Sequence, residues 1–150
     1  FARGGQIYAG KGGCSDCHML NGRGGLLGPD LSNIASERSV RFLEESLTVA
    51  KPHIPAGYKP VRLLTVDGHS IRGVLKNEDN FSLQLLDTAG KLHLLSRDEL
   101  REIEFEKQSL MPSDYDKKLT PQELRDLLAF LSRQGTQSAA ASEAGPRRRR

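Results

Sequence analysis

Both cysteines of this 150-residue chain lie in one five-residue stretch, CSDCH, which runs from Cys14 to His18. Two thiols three positions apart, with a histidine directly after them, can serve three kinds of chemistry. These are dithiol redox exchange, zinc binding, and covalent attachment of haem, in which the thiols add to the porphyrin vinyl groups and the imidazole coordinates iron. The residues around the motif decide between them.

The first two chemistries find little support in the rest of the chain. A thioredoxin-like dithiol begins a helix directly after a central strand, and the segment before Cys14, FARGGQIYAGKGG, offers no such strand. A structural zinc ion needs four ligands, so two histidines would have to join the two thiols. The four candidates are irregularly spaced: His18, His53, His69 and His93. A zinc site is therefore disfavoured.

The spacing within the motif suits haem attachment. Positions i and i+3 are neighbours on a helical turn, and position i+4 returns to the same side. Cys14 and Cys17 can thus act as two tethers while His18 lies beneath the macrocycle as an iron ligand. A pattern this short also occurs by chance, so a surface loop with free or disulfide-bonded thiols stays open as an alternative.

Two later stretches supply further candidates for a haem site. Residues 28–31, GPDL, predict a loop that closes ahead of a short helix through Ala35. Of the two methionines, Met19 directly follows the histidine and is expected to pack. Met111 precedes Pro112, which favours an extended loop able to reach across a flat ligand. Met111 is the better candidate for a sulfur ligand.

The segment LTPQELRDLLAFLSRQG, residues 119–135, predicts an amphipathic helix. Thr120 and Glu123 match a capping box, Pro121 takes the first helical position, and Gly135 ends the pattern. The apolar stripe consists of Leu124, Leu127, Leu128 and Leu131.

Taken together, these stretches resemble the class I c-type cytochromes that carry a single haem. The matching segments are residues 1–58 and 109–135. The resemblance implies one haem c bound covalently through Cys14 and Cys17.

The same resemblance implies roles for three further residues and a helix pairing. His18 and Met111 are expected to be the axial iron ligands. The carbonyl of Pro29 is expected to accept a hydrogen bond from the outer nitrogen of His18, which fixes the ring and raises its basicity. In the family, an N-terminal helix, here carrying Ile7 and Tyr8, crosses the C-terminal helix.

The region between the proposed ligands departs from the family pattern. A helix is predicted from Ser39 to Val49, and the stretch KPHIPAGYKP, residues 51–60, ends it. Beyond it the apolar period changes to two, and Asp67-Gly68 is a strong hairpin turn. Five predicted strands lie between residues 61 and 106: VRLLTV, HSIRGVL, NFSLQLL, KLHLL and REIEFE.

Five short strands with no helices to cover a flat sheet favour a small closed or nearly closed barrel. Phe81 is expected in its core and His93 on its outer surface. Other inward candidates are Leu63, Ile71, Val74, Leu83, Leu85, Leu92, Leu94, Ile103 and Phe105.

These strands resemble Sm-like and SH3-like barrels. They also resemble the barrel inserted before the methionine loop in some bacterial cytochrome c domains that accompany dehydrogenases. The expected fold class is therefore α+β, an all-α cytochrome c fold with a five-stranded β-barrel inserted at residues 59–108. Such an insertion costs little closure entropy.

The charge distribution argues against nucleic-acid binding. The net charge of +3 is due to the final RRRR, and residues 1–135 carry equal numbers of acidic and basic side chains. A nucleic-acid footprint needs clustered positive charge on the fold itself. Residues 136–150 are small and polar and are expected to be a disordered tail.

The function expected from these features is electron transfer, not enzymatic catalysis. The partners would be redox proteins, a dehydrogenase as donor and a cytochrome or oxidase as acceptor, without nucleic acid or a membrane span. Covalent haem attachment implies a periplasmic or otherwise extracytoplasmic location, and a chain that starts at Phe1 suits a mature or trimmed product.

Two other classes of function stay open. One is a haem-based gas sensor or peroxidase with an open sixth iron position, which would need Met111 to lie elsewhere. The other is a protein-binding module centred on the barrel, with the dithiol in a structural role.

Overall fold

Helices and strands occupy separate stretches of the chain, of which this computed structural model describes residues 1–50 and 54–136. The helices are α1 (Ala2–Ala9), α2 (Cys14–Cys17), α3 (Ile34–Glu37), α4 (Val40–Thr48), α5 (Tyr115–Lys118) and α6 (Pro121–Leu131). The strands are β1 (Met19–Leu20), β2 (Arg23–Gly24), β3 (Pro60–Thr65), β4 (Ser70–Glu78), β5 (Ser82–Asp87), β6 (Leu92–Ser96) and β7 (Leu100–Phe105). His53 and all but the first residue of the predicted tail lie outside the described residues.

The first and last helices cross at close range. Gly4 allows this approach, because a Cβ atom there would lie only 2.0 Å from the carbonyl oxygen of Asp126. The predicted capping box of α6 is present: the Thr120 hydroxyl accepts from the Glu123 N–H, and the Glu123 carboxylate accepts from the Thr120 N–H. No helix in the described ranges is long and apolar enough to cross a membrane.

The helices bury one apolar cluster between them. Burial removes apolar surface from water, which is the main stabilising contribution of such a cluster. Ser39 caps the N-terminus of α4, where its hydroxyl accepts a hydrogen bond from the Phe42 N–H. Val40, the first residue of α4, is exposed and lies outside the cluster. The cluster consists of Ile7, Tyr8, Cys14, Ile34, Leu43, Leu47, Tyr115, Leu119, Leu127, Leu128 and Leu131.

The five later strands form one antiparallel sheet in the order β6-β5-β4-β3-β7. Its own apolar cluster consists of Val61, Leu63, Leu83 and Leu85. The predicted Asp67-Gly68 turn joins β3 to β4, with Gly68 at a φ of 90° that favours glycine. Because β7 pairs with β3, the chain enters and leaves the sheet side by side, and the Glu106 N–H donates to the Pro60 carbonyl at 2.9 Å.

Closure of these strands into a barrel is not confirmed. Over the described residues the sheet is open, with β6 and β7 as edges and no strand ladder between them. The structure therefore shows mixed helix and sheet, and the barrel stays a prediction.

The inward-facing residues differ from the prediction at the edge strands. Leu92, Leu94 and Phe105 are all at least half exposed, contrary to expectation. Phe81 is also exposed rather than in the core, because it lies in a turn where the Asp79 carboxylate accepts from its N–H.

His93 was expected to face outward and instead faces inward. It is half-buried, and its Nε2 atom lies 2.7 Å from Oδ2 of Asp87.

A groove of about 410 Å³ lies between the sheet and the segment that follows the cysteine motif. One side is formed by Met19, Leu26, Gly28 and Asp30, and the other by Tyr58, Lys76, Leu86, Gly90 and Leu92. The sheet thus lies beside the loop that contacts His18.

Candidate functional site

The cysteine motif forms a single helical turn. Gly13 precedes it in the left-handed region, at a φ of 61°, which turns the chain into α2. His18 ends the turn in an extended conformation, and its N–H donates to the Cys14 carbonyl at 2.8 Å. Both thiols are free, Cys14 in the buried cluster and Cys17 half-buried. The predicted helical spacing thus holds for the two cysteines, whereas His18 lies just beyond the helix.

The environment of the thiols does not favour dithiol redox chemistry. Burial raises the pKa of Cys14 to about 11, and burial together with Asp16 also raises the pKa of Cys17. Redox-active thiols need a lowered pKa, because the thiolate is the nucleophile. These two thiols stay protonated at neutral pH.

The described residues also provide no cluster for zinc. In the ranges 1–50 and 54–136, no three or more His, Cys, Asp or Glu side chains come together as a metal site. His69 pairs with Asp67 at the hairpin tip and His93 with Asp87, so both are engaged away from the cysteines.

The imidazole of His18 is buried and held in one orientation. Its Nδ1 atom lies 2.7 Å from the carbonyl oxygen of Pro29. Burial lowers the pKa of His18, and the hydrogen bond to Pro29 partly opposes this. The neutral ring therefore donates from Nδ1 to Pro29 and directs the lone pair of Nε2 away from it.

The other ring nitrogen is available to a ligand. Within the described part of the chain, every buried side-chain nitrogen or oxygen atom has a hydrogen-bond partner. Nε2 of His18 makes no hydrogen bond there, so it is not one of the buried atoms. Nε2 therefore retains access from outside the protein. A neutral imidazole with an accessible Nε2, beside two protonated thiols on one turn, fits the attachment and axial ligation of a haem.

Three glycines bring the backbone close to this turn. A Cβ atom at Gly28 would lie 2.5 Å from Cε1 of His18, and one at Gly25 would lie 2.0 Å from the Asp16 carbonyl. At Gly24 it would lie 2.2 Å from the His18 carbonyl. The glycine-rich composition was evident in the sequence, but which glycines contact the motif was not.

Two buried tyrosine hydroxyls also bind this segment and were missed by sequence reasoning as functional groups. The Tyr8 hydroxyl donates to the His18 carbonyl at 2.8 Å, and the Tyr115 hydroxyl donates to the Gly12 carbonyl at 2.9 Å. Burial raises the pKa of each to about 12, so both remain protonated donors. Tyr8 was expected only as part of the N-terminal helix, and Tyr115 lay outside the predicted helices.

Met111 lies in the loop between β7 and α5 and is 37% exposed. Its N–H donates to the Ser109 hydroxyl at 3.1 Å. The structure thus brings Cys14, Cys17, His18 and Pro29 together. Met111 lies in a separate loop, so its role as a ligand stays a prediction.

Comparison with protein families matches residues 1–65 to the cytochrome c family. The matched region contains the whole cysteine motif and its loop, and it ends with β3. This supports a c-type cytochrome, and the family implies haem c attached covalently through Cys14 and Cys17. A search of curated proteins gave no match.

Proposed function

We propose that this protein is a single-haem, electron-transfer cytochrome whose iron is bound by His18 and Met111. The observation that carries the proposal is the turn formed by residues 14–18, inside the family-matched segment. These five residues contain two thiols and an oriented, neutral imidazole. When bound, the haem supplies one-electron chemistry between ferrous and ferric iron.

The protein residues have separate tasks in this function. Cys14 and Cys17 prevent loss of the cofactor by covalent attachment. The Pro29 carbonyl accepts a hydrogen bond from Nδ1 of His18, which would leave Nε2 as the nitrogen that binds the metal. Met111 offers a thioether, a ligand that raises the reduction potential of haem iron in cytochromes.

The expected partners are redox proteins. A dehydrogenase would be the donor and a cytochrome or oxidase the acceptor, outside the cytoplasm, where haem is attached to such motifs. The sheet at residues 59–108 would be an inserted unit beside the haem site, supported by its separate apolar cluster and its adjacent entry and exit. No catalytic reaction on a substrate is proposed.

The covalent bond is tested by mass spectrometry of the purified, denatured protein. We expect the mass of the chain plus one haem, because thioether bonds survive unfolding. The variants Cys14→Ser and Cys17→Ser should each retain one thioether bond and should lose haem more easily than the wild type. A wild-type protein that releases all its haem on denaturation would contradict the attachment.

The ligand set is tested by optical spectroscopy of ferric protein. We expect a low-spin spectrum with a weak far-red band from sulfur bound to ferric iron, which Met111→Ala removes and Met19→Ala leaves in place. A high-spin wild-type spectrum would instead favour a gas sensor or peroxidase. The exposure of Met111 is the observation that favours this second candidate.

A further inference from the structure

Tyr115 lies four residues after Met111, at the start of α5, with Pro112 between them. Its side chain is 6% exposed and belongs to the same apolar cluster as Cys14, Leu119 and Leu128. The residue thus fixes the end of the methionine loop inside the helical core.

The Tyr115 hydroxyl ties that loop to the haem-attachment segment. It donates to the carbonyl of Gly12, two residues before Cys14 and 103 positions away in sequence, at 2.9 Å. The thiol of Cys14 donates to the same carbonyl, more weakly, at 3.7 Å. Gly12 itself is fixed, because its N–H donates to the Ile7 carbonyl at 2.8 Å.

The remaining hydrogen bonds of the methionine loop are local. Over the described residues, those of 109–118 stay within 109–119, such as Met111 to Ser109 and Lys118 to Asp114. A buried hydrogen bond is also worth more than these exposed ones, because losing it leaves the desolvated carbonyl of Gly12 with only the weak thiol donor of Cys14. The bond from Tyr115 is therefore the polar contact that sets how far the loop lies from the cysteine turn.

We propose that Tyr115 is a positioning residue, which holds the Met111 loop against the haem-attachment segment and so keeps the thioether at the sixth position of the iron. The inference rests on the proposed function, since it requires Met111 to be a ligand. It assigns Tyr115 no contact with the iron.

The test is competition by imidazole for the sixth position of the ferric protein. Tyr115→Phe removes only the hydroxyl and keeps the ring in the core. We expect it to raise the apparent affinity for imidazole about fivefold, the factor that corresponds to one net hydrogen bond. Loss of the far-red band at correspondingly lower imidazole concentration is the second readout.

The control is Ile34→Val, which trims a methyl group from the same apolar cluster in α3. It should lower the free energy of unfolding by an amount similar to the loss of one hydrogen bond, without touching the methionine loop. Its imidazole affinity should stay at the wild-type value. Circular dichroism confirms that both variants fold, and Tyr115→Leu provides a second loss of the hydroxyl if the first accumulates poorly.

The outcomes separate the inference from the proposed function. A wild-type far-red band together with unchanged imidazole affinity in Tyr115→Phe and Tyr115→Leu overturns the inference and leaves the proposed function intact. An equal rise in Ile34→Val overturns it as well, because general destabilisation would then explain the effect. A wild type without the band removes Met111 as ligand and overturns both.

Discussion

The backbone and the side chain of Tyr8 together hold His18 in one orientation. The Pro29 carbonyl accepts from Nδ1, Gly28 lies against the ring, and the Tyr8 hydroxyl binds the carbonyl of His18 itself. None of these contacts depends on a charged group, so the orientation does not change with ionic strength. In the proposed function, a ligand preorganised in this way would avoid an ordering cost on binding iron.

Gly28→Ala should disturb this orientation directly. The added methyl group would lie 2.5 Å from Cε1 and 2.7 Å from Nδ1 of His18, so the ring must move away from Pro29. We expect the free energy of unfolding to fall by about 2 kcal/mol, as for other overpacked sites, and the fraction of chains with attached haem to fall. Urea unfolding and the ratio of haem absorbance to protein measure the two effects.

Gly22→Ala is the comparison for that substitution. A Cβ atom at Gly22 meets nothing within 4 Å, and the only cost is its φ of 78°. Haem attachment should therefore stay at the wild-type level. Equal attachment in both variants would show that the ring of His18 does not depend on Gly28.

Among the elements, α1 and α6 form the contact that brings the cysteine motif and the C-terminal segment together. α1 leads directly toward Gly13 and α2, while α6 follows the loop that carries Met111. The relative position of the two predicted ligands therefore depends on this helix crossing as well as on the bond from Tyr115 to Gly12. The helices approach closely at Gly4, where the backbone of α6 occupies the space that a side chain would need.

Gly4→Ala and Gly5→Ala form a matched pair for this crossing. The Cβ atom at Gly4 would lie 2.0 Å from the backbone oxygen of Asp126, whereas at Gly5 it would lie 3.2 Å from the movable ring edge of Phe130. We expect Gly4→Ala to lower stability by about 3 kcal/mol and Gly5→Ala to be near neutral, since alanine favours a helix. Thermal unfolding followed by circular dichroism compares them, and equal melting temperatures would contradict a close crossing.

The sequence could predict the elements with strong local signals and not those fixed by register. The capping box at Thr120 and the turn at Asp67-Gly68 were predictable because their hydrogen bonds form within a few residues. Strand β6, LHLLS, has no clean alternation, so its inward face is set by pairing with β5. There Leu85 opposes His93, and this register turns His93 and Leu95 inward and Leu94 out.

The same distinction applies to the candidate site. The cysteine motif and Pro29 could be found because each follows a short pattern around His18. The contacts of Tyr8, Tyr115 and the glycines could not, since they join segments far apart in sequence, and a hydroxyl or a glycine has no distinctive signal.

At the scale of the whole molecule, two apolar clusters lie in two parts of the chain. The helical cluster includes Cys14, and the sheet cluster is built from strands alone. The groove beside Gly28 separates the two parts on one side. Separate cores can open independently, because few contacts cross between them.

Leu63→Ala and Leu127→Ala compare the two clusters, since both side chains are fully buried. Each should cost about 3 kcal/mol. We expect Leu63→Ala to reduce hydrogen-exchange protection in residues 60–105 while the haem absorption spectrum stays unchanged. Leu127→Ala should reduce protection in α1 and α6 and weaken the far-red band. A spectrum that changes equally in both variants would show that the sheet is not an independent unit.

The hydrogen bond between Glu106 and Pro60 has a consequence for the order in which the polypeptide matures. His18 and Met111 are 93 positions apart in the sequence. Once β3 and β7 have paired, the residues between these two strands no longer add to the loop that separates His18 from Met111. The contour to be closed is then shorter by about half, which lowers the entropic cost by roughly 0.6 kcal/mol. A chain that completes its sheet first would therefore bring the Met111 loop toward the cysteine motif at a lower entropic cost.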